Sequence, residues 1–177
     1  MANGIEGLDK LMKKYGQLGE QAAGEAMERA VNTSCKGVQA EAKLLCPVSH
    51  GELRRSIRTA TEQQEDRVIG TIYTNKKYAQ YVEFGTGPKG EASHAGISPE
   101  VTPVYSQSPW WIHESQVDEK AAETYHWFFI DTKEGRFYQV SGQPAQPFLY
   151  PALKNNEDRV TRNISNYLAR EIRKVCK

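Results

Sequence analysis

Apolar residues recur at helical spacing in two stretches near the start of the chain. The first covers residues 5–18 and the second covers residues 27–45. Gly16 and Gly19 separate the two stretches, since a glycine inside a helix costs about 1 kcal/mol relative to alanine. A residue before a proline is driven out of the helical region, so we expect the second helix to end before Pro47.

A capping pattern and a strand pattern follow that proline. Ser49 precedes Glu52 by three residues, which is the spacing of a capping box, and this predicts a short helical turn through Leu53. Polar and β-branched residues then alternate over 57–61 and 67–74, with a polar connection between the two stretches. This alternation predicts a β-hairpin.

The next segment is less regular. Residues 78–84 are mostly apolar, but they are too few for periodicity to distinguish a strand from a helix. They end at Gly85-Thr86-Gly87, which indicates a turn. Residues 88–104 are rich in Gly, Pro and Ser, and they predict a loop.

Aromatic residues are concentrated beyond this loop. Nine of the 17 aromatic residues lie between Tyr105 and Tyr138, including all three tryptophans. After Trp110-Trp111-Ile112, residues 124–131 and 136–140 predict the two arms of a hairpin around a turn at Lys133-Glu134-Gly135. Such aromatic density either fills a local core or forms an assembly surface, and the sequence leaves both interpretations open.

The end of the chain predicts one long helix. Pro144 and Pro147 exclude regular structure before Pro151, and a proline is well suited to the first turn of a helix. Basic residues are dense toward the carboxyl end, where the helix dipole favours them. One apolar stripe at helical spacing is expected to face the core: Leu153, Val160, Ile164, Leu168, Ile172 and Val175.

Charge is balanced over the whole chain but not along it. The 177 residues include 23 Lys and Arg and 22 Asp and Glu, for a net charge of +1. This balance argues against a dedicated nucleic-acid binder and against a polybasic membrane anchor. Residues 36–58 carry a net +3, residues 92–135 carry a net −5, and residues 152–177 carry a net +4. The blocks are either solvated surface or complementary faces for copies of the chain.

The remaining composition indicates a cytosolic protein without a membrane segment. Charged residues interrupt the apolar positions of residues 1–16, which therefore lack the core of a signal peptide. The longest strongly apolar run has only four residues, 127–130, far too short to span a membrane. Three cysteines, at positions 35, 46 and 176, favour free thiols in a reducing compartment over a disulfide framework or a zinc site.

No motif predicts an enzyme. His113-Glu114 begins like a zinc-protease motif, but Val117 stands where the second histidine ligand is required. Residues 85–90 resemble a phosphate-binding loop only superficially, because they lack its lysine–hydroxyl pair. Ser49 and His50 are adjacent, and sequence neighbours rarely meet as nucleophile and base. We therefore expect no catalytic residues, no metal site, no cofactor and no small-molecule substrate.

Three segments carry a family resemblance. They are Cys46-Pro47-Val48-Ser49-His50-Gly51-Glu52-Leu53-Arg54-Arg55-Ser56-Ile57, Tyr78-Ala79-Gln80-Tyr81-Val82-Glu83-Phe84-Gly85-Thr86-Gly87, and Gln146-Pro147-Phe148-Leu149-Tyr150-Pro151-Ala152-Leu153. Their order and spacing resemble the minor head–tail proteins of long-tailed bacteriophages, a family also called tail-completion, tail-terminator or head–tail joining proteins. The chain departs from the family pattern at His50, where threonine is usual.

The resemblance implies an α+β fold in which an antiparallel β-sheet is packed by N-terminal helices and a long C-terminal helix. It implies a single domain over 1–177, with a helical region 1–46, core strands 47–87, an aromatic-rich loop and β-hairpin insertion 88–142, and a proline-rich segment with the final helix 143–177. The expected fold and assembly motif residues are Pro47, Gly51, Leu53, Arg54, Ser56, Ile57, Tyr81, Glu83, Phe84, Gly85, Pro147, Phe148 and Pro151. The expected interface residues are Arg55, Arg58, Trp110, Trp111 and Trp127.

Individual motif residues also have a physical interpretation. Leu53 and Ile57 are expected to anchor the turn after the long helix in the core, with the neighbouring arginines left outside. Glu83 lies among apolar residues, so a buried Glu83 would require a cation or backbone amides. Phe148, between prolines, is expected to enter the core and to fix where the last helix starts.

The function implied by the resemblance is assembly of the virion. Family members form a ring of six subunits at the head–tail junction, in contact with the neck connector, the tail tube and the DNA in the lumen. Such a protein is made in the host bacterial cytoplasm and ends in the virion, either as a tail terminator or as a head–tail joiner. The alternative is a nucleic-acid-binding accessory protein that uses Arg54, Arg55, Arg58 and the basic final helix.

Overall fold

The computed structural model describes residues 23–64, 67–117, 119–124 and 126–175. The predicted helix over residues 5–18 and Cys176 both lie outside this part of the chain. The described chain forms two compact units. One contains the residues up to Asn75 together with those from Ala152 onward, and the other is Lys76–Pro151.

The first unit consists of helices and a hairpin. Helix α1 (Ala23–Leu45) confirms the predicted second helix and ends two residues before Pro47. A short helix, α2 (Glu52–Ser56), follows it. Strands β1 (Arg58–Gln63) and β2 (Val68–Tyr73) then pair in antiparallel register, with Arg58 opposite Tyr73, which confirms the predicted hairpin.

Helix α1 packs closely against the hairpin at Gly70 in β2. A Cβ on Gly70 would lie 2.7 Å from Cγ1 of Val31 and closer still to Sγ of Cys35. Only a glycine lets the helix approach the strand this closely. Burial raises the pKa of the Cys35 thiol, and the side chains of Cys35 and Cys46 are both buried.

The predicted capping box at Ser49 is wrong. Helix α2 begins directly after Gly51, whose φ of 74° is left-handed, and no side chain caps the helix. The Oγ of Ser49 lies instead 3.1 Å from Nδ1 of His50. The left-handed glycine turns the chain into the helix, and the amide of Arg55 then donates to the Gly51 carbonyl at 3.0 Å.

The second unit consists of short elements. Three strands form an antiparallel sheet in the order β3-β5-β4, with β5 in the centre. In chain order the elements are α3 (Ala79–Phe84), α4 (Gly87–Ala92), β3 (Trp110–His113), a 3-10 turn (Glu114–Gln116), α5 (Glu119–Thr124), β4 (Phe129–Thr132) and β5 (Gly135–Val140).

Two sequence predictions fail in this unit. The predicted loop 88–104 begins inside helix α4, where Pro88 occupies an early helical position that tolerates proline. The predicted hairpin arm 124–131 is a strand only from Phe129, since Thr124 ends the helix α5 and residues 126–128 are not in a strand. The amides of His126 and Trp127 donate back to the carbonyls of Glu123 and Ala122, so the chain turns after the helix before it enters the strand.

The last helix, α6 (Leu149–Val175), confirms the predicted long C-terminal helix. Its buried positions are Ala152 and Asn156, whereas Leu153 is 53% exposed. The predicted stripe is therefore wrong at Leu153: the inward face passes through the neighbouring alanine.

The α+β class is confirmed, with two separate antiparallel sheets and a long C-terminal helix. Among the described helices, none combines the length and apolar character that a membrane span requires.

Candidate assembly surfaces

Glu83, at the end of α3, is buried with 5% of its surface exposed. Its Oε2 accepts hydrogen bonds from the amides of Phe148 at 2.8 Å and Leu149 at 3.0 Å, and its Oε1 accepts one from Tyr150 at 3.0 Å. The sequence allowed either a cation or backbone amides as partners of a buried Glu83, and the structure shows backbone amides.

These three amides are at the start of helix α6. The first four amides of a helix have no partner inside the helix, and the residues concerned here are 148–151. Glu83 satisfies three of them, and the fourth residue, Pro151, has no N–H to satisfy. The carboxylate also lies where the helix dipole favours negative charge. Glu83, Phe148 and Pro151 together thus account for the position at which the helix begins.

The backbone after α3 is held just as closely. Gly85 has a φ of 75°, and a Cβ there would lie 2.7 Å from the amide nitrogen of Ala145. Thr86 and Gln143 exchange backbone hydrogen bonds of 2.9 and 3.1 Å. The side-chain amide of Gln143 donates to the Tyr81 carbonyl at 2.8 Å. Segments far apart in sequence are therefore joined through backbone groups.

An open groove of about 1260 Å³ lies beside α3 in the second unit. One wall carries Tyr78 and Tyr81 from the α3 region, and the other carries Val101, Val104 and Trp110. Within this unit the lining is mainly apolar and aromatic, which is the character of a surface that binds another protein.

Tyr105 joins the two walls of this groove. Its hydroxyl donates to the Phe84 carbonyl at 2.8 Å. Burial, with a further contribution from the negative charge of Glu91, raises the pKa of Tyr105. The hydroxyl therefore remains protonated and able to donate at neutral pH.

The three tryptophans are distributed over the small sheet. Trp110 and Trp111 are neighbours on β3, so they point to opposite faces. Trp110 lines the groove, whereas Trp111 is 42% exposed and packs against Phe128 with ring centroids 6.0 Å apart. Trp127 packs edge-on against the buried Tyr138 at 6.3 Å. The aromatic cluster is therefore partly packed and partly exposed, and an assembly role for its exposed part stays a prediction.

The first unit contains several of the predicted motif and interface residues. Leu53 and Ile57 are buried at 6% and 1% exposure, which agrees with their expected anchoring role. The Oγ of Ser56 lies 2.8 Å from the Leu53 carbonyl and 2.6 Å from Oγ1 of Thr74. All three predicted arginines of this segment are exposed: Arg54, Arg55 and Arg58.

A polar contact between α1 and α6 was not predicted from the sequence. Glu41 accepts hydrogen bonds from the side-chain amides of Asn155, at 2.9 Å, and Asn156. Asn156 is 1% exposed and also donates to the Ala152 carbonyl at 2.7 Å. The two asparagine amides lower the pKa of Glu41, with a smaller contribution from Arg159. The only indication of this contact in the sequence is Asn156, a polar residue one helical turn after Ala152.

The described residues also include the candidate catalytic and metal-binding residues of the sequence. In those residues no group of three or more His, Cys, Asp or Glu side chains could hold a metal ion. Ser49 and His50 do meet at 3.1 Å, contrary to expectation, but both are exposed. The Nδ1 and Nε2 atoms of His113 lie near Ser115 and the Glu134 carbonyl, so this histidine joins two turns.

Comparison with known families agrees with the resemblance. Residues 9–85 match the HK97-gp10-like family model, described as "Bacteriophage HK97-gp10, putative tail-component". The match supports a phage tail or head–tail family. It includes helix α1, the hairpin, α3 and the Glu83 position, and it ends before the groove-lining residues 101–116. No curated protein and no solved structure matches the chain.

Proposed function

We propose that this protein forms a ring at the head–tail junction of a long-tailed bacteriophage, where it completes or terminates the tail and joins it to the head. The observation that carries the proposal is the match of residues 9–85 to a phage tail-component family. A tail component of this kind is a structural protein of the virion rather than an enzyme. The proposal adds the ring, its position at the junction, and the neck connector and tail tube as partners.

The surfaces of the chain support such a role. The groove beside α3 and the face around Trp111 both leave aromatic side chains accessible within the second unit. Exposed apolar surface of this extent is a common feature of proteins that assemble with others. The opposite charges of residues 92–135 and of the two basic blocks allow two different patches on each subunit, which a head-to-tail ring requires.

Electron microscopy of phage particles that lack this protein tests the proposal. Filled heads separate from finished tails are expected if the protein joins the two parts. Overlong tails are expected if it terminates the tail. Intact, infectious particles with tails of normal length would contradict both roles.

Nucleic-acid binding is the second candidate function, and the exposure of Arg54, Arg55 and Arg58 favours it. A protein that neutralises several phosphates loses affinity steeply as salt rises. Titration of labelled duplex DNA at low and moderate salt distinguishes the two functions. Binding that persists at moderate salt and is lost in Arg54→Ala/Arg58→Ala supports the accessory role, whereas weak binding in both proteins supports assembly.

A further inference from the structure

The groove of the second unit is left uncovered by the described residues of that unit. Val104 is 98% exposed, Tyr81 is 51% exposed and Val101 is 39% exposed. Apolar side chains exposed to this degree gain free energy when another surface removes them from water. The groove is therefore a surface on which a partner would dock.

The chain segment that supplies one wall of this groove carries acidic residues close to the lining residues. Residues 91–116 contain three glutamates, Glu91, Glu100 and Glu114, and neither lysine nor arginine. The Oε2 of Glu91 accepts a hydrogen bond from Nε2 of Gln107 at 2.8 Å, which holds the carboxylate beside the Tyr105 wall. Glu100 directly precedes the groove residue Val101. Lys76 and Lys77 lie at the other end, before Tyr78, so the negative charge belongs to the 91–116 wall.

The first unit carries a patch with the opposite charge. We define the basic patch as Leu44, Leu45, Val48, Arg54 and Arg55. Its three apolar residues are 74%, 42% and 59% exposed, respectively. Lys43 is beside it, and Glu52 is the only acidic residue between Lys43 and Arg55.

Local hydrogen bonds order the chain segment that carries the basic patch. The Nη2 of Arg55 donates to the His50 carbonyl at 3.2 Å, which fixes the arginine against the turn after Val48. The amide of Cys46 donates to the Ala42 carbonyl at 2.9 Å, which continues the helical turn at Leu44 and Leu45. The apolar and basic groups therefore belong to one ordered stretch of the chain.

We propose that the basic patch of one copy docks into the groove of a second copy, with its exposed leucines and valine against Tyr81 and Val104. Arg54 and Arg55 then face Glu91 and Glu100. The inference rests on the proposed ring and names the two surfaces that would build it. Since the surfaces differ, the contact is head-to-tail, and successive copies close into a ring if the rotation allows it.

The direct test is a photoreactive benzophenone amino acid in place of Val104, used in purified protein and in phage particles. The expected product is a dimer whose cross-linked peptide comes from residues 43–55 of the second copy. A cross-link to another protein, to another segment of this chain, or no cross-link in either sample would overturn the inference.

Charge and size variants give a second test. Leu44→Glu and Val104→Glu change exposed side chains, so each is expected to fold normally and to weaken self-association at least about tenfold. The matched controls are Leu153→Glu in the first unit and Ile130→Glu in the second, at positions 53% and 41% exposed. If a control weakens association as much as its test variant, the docking surfaces are assigned wrongly.

Charge reversal makes the test specific. Arg54→Glu/Arg55→Glu is expected to reduce association, and combination with Glu91→Lys/Glu100→Lys is expected to restore most of it. Absence of rescue would count against the pairing.

Different results would disprove the docking surfaces and the proposed function. If copies still form rings when both surfaces are changed, the surfaces are wrong and the ring stands. If particles without the protein are complete and infectious, the proposed function itself fails.

Discussion

Different interactions stabilise the interior of each of the two units of this protein. In the first, helix α1 has 23 residues and packs against strands of six residues each. In the second, helices α3, α4 and α5 have six residues each. Helices this short are not stable by themselves, so they depend on specific tertiary hydrogen bonds. The first unit is therefore expected to respond mainly to changes of packing volume, and the second to loss of backbone partners.

The largest effect is expected from Glu83→Ala in the second unit. The substitution leaves three amides at the start of α6 without an acceptor and is expected to destabilise the protein by about 4 kcal/mol. Urea unfolding followed by circular dichroism measures the change. Gln80→Ala, on the exposed side of the same helix, is the control and should cost less than about 0.5 kcal/mol. Similar losses for the two variants would show that the Glu83 hydrogen bonds contribute little.

A glycine pair compares the two units directly. Gly142 has a φ of 84°, and a Cβ there would overlap the carbonyl oxygen of Thr86, which is backbone and cannot rotate away. Gly142→Ala is therefore expected to cost about 3 kcal/mol. At Gly70 the obstacles are side chains of α1, which can adjust, so Gly70→Ala is expected to cost about 1 to 2 kcal/mol. The same unfolding measurement applies, and the reverse order would contradict the comparison.

A smaller, pH-dependent effect is expected at Glu41 in the first unit. Its pKa lies below the ordinary value of 4.5, because the native state stabilises the charged form. That stabilisation is present above the ordinary pKa and is lost as the pH falls through the lowered native value. Glu41→Gln should therefore destabilise the protein at about pH 6 and progressively less toward about pH 3. A cost that stays constant over this range would exclude the carboxylate charge as its source.

The smallest effect is expected at Leu153 on α6. Because this side chain is 53% exposed, Leu153→Ala should change the free energy of unfolding by less than about 0.5 kcal/mol. Leu53→Ala, at a residue 6% exposed, is the matched comparison and should cost about 2 to 4 kcal/mol. Thermal unfolding of the two variants checks the difference. A large loss at Leu153 would restore the apolar stripe that the sequence predicts.

The long periodic segments, and the prolines that bound them, could be predicted from the sequence. The α1 pattern, the β1–β2 alternation and the helix after Pro147 each extend over enough residues for periodicity to decide. The proline before α2 and the apolar residues Leu53 and Ile57 were also interpreted as the structure has them. The three motif segments suggested a phage tail family, and the family match over residues 9–85 agrees.

Other features depended on contacts between residues distant in sequence. The inward face of α6 passes through Ala152 and Asn156, and Asn156 meets Glu41, which is more than 100 residues away in the chain. The need for glycine at positions 70 and 142 arises from a helix and a carbonyl that approach from elsewhere in the same unit. A local sequence pattern does not reveal that distant groups lie close to these glycines.

Sequence by itself thus determined the long elements, the α+β class and the family resemblance, because these follow from periodicity and from motifs of neighbouring residues. Tertiary structure alone decided that Glu83 supplies the missing acceptors for α6 and that the described residues of the second unit leave an apolar groove uncovered. The physical reason is that hydrogen-bond satisfaction and exposure depend on what lies nearby in space, which a local sequence pattern does not specify.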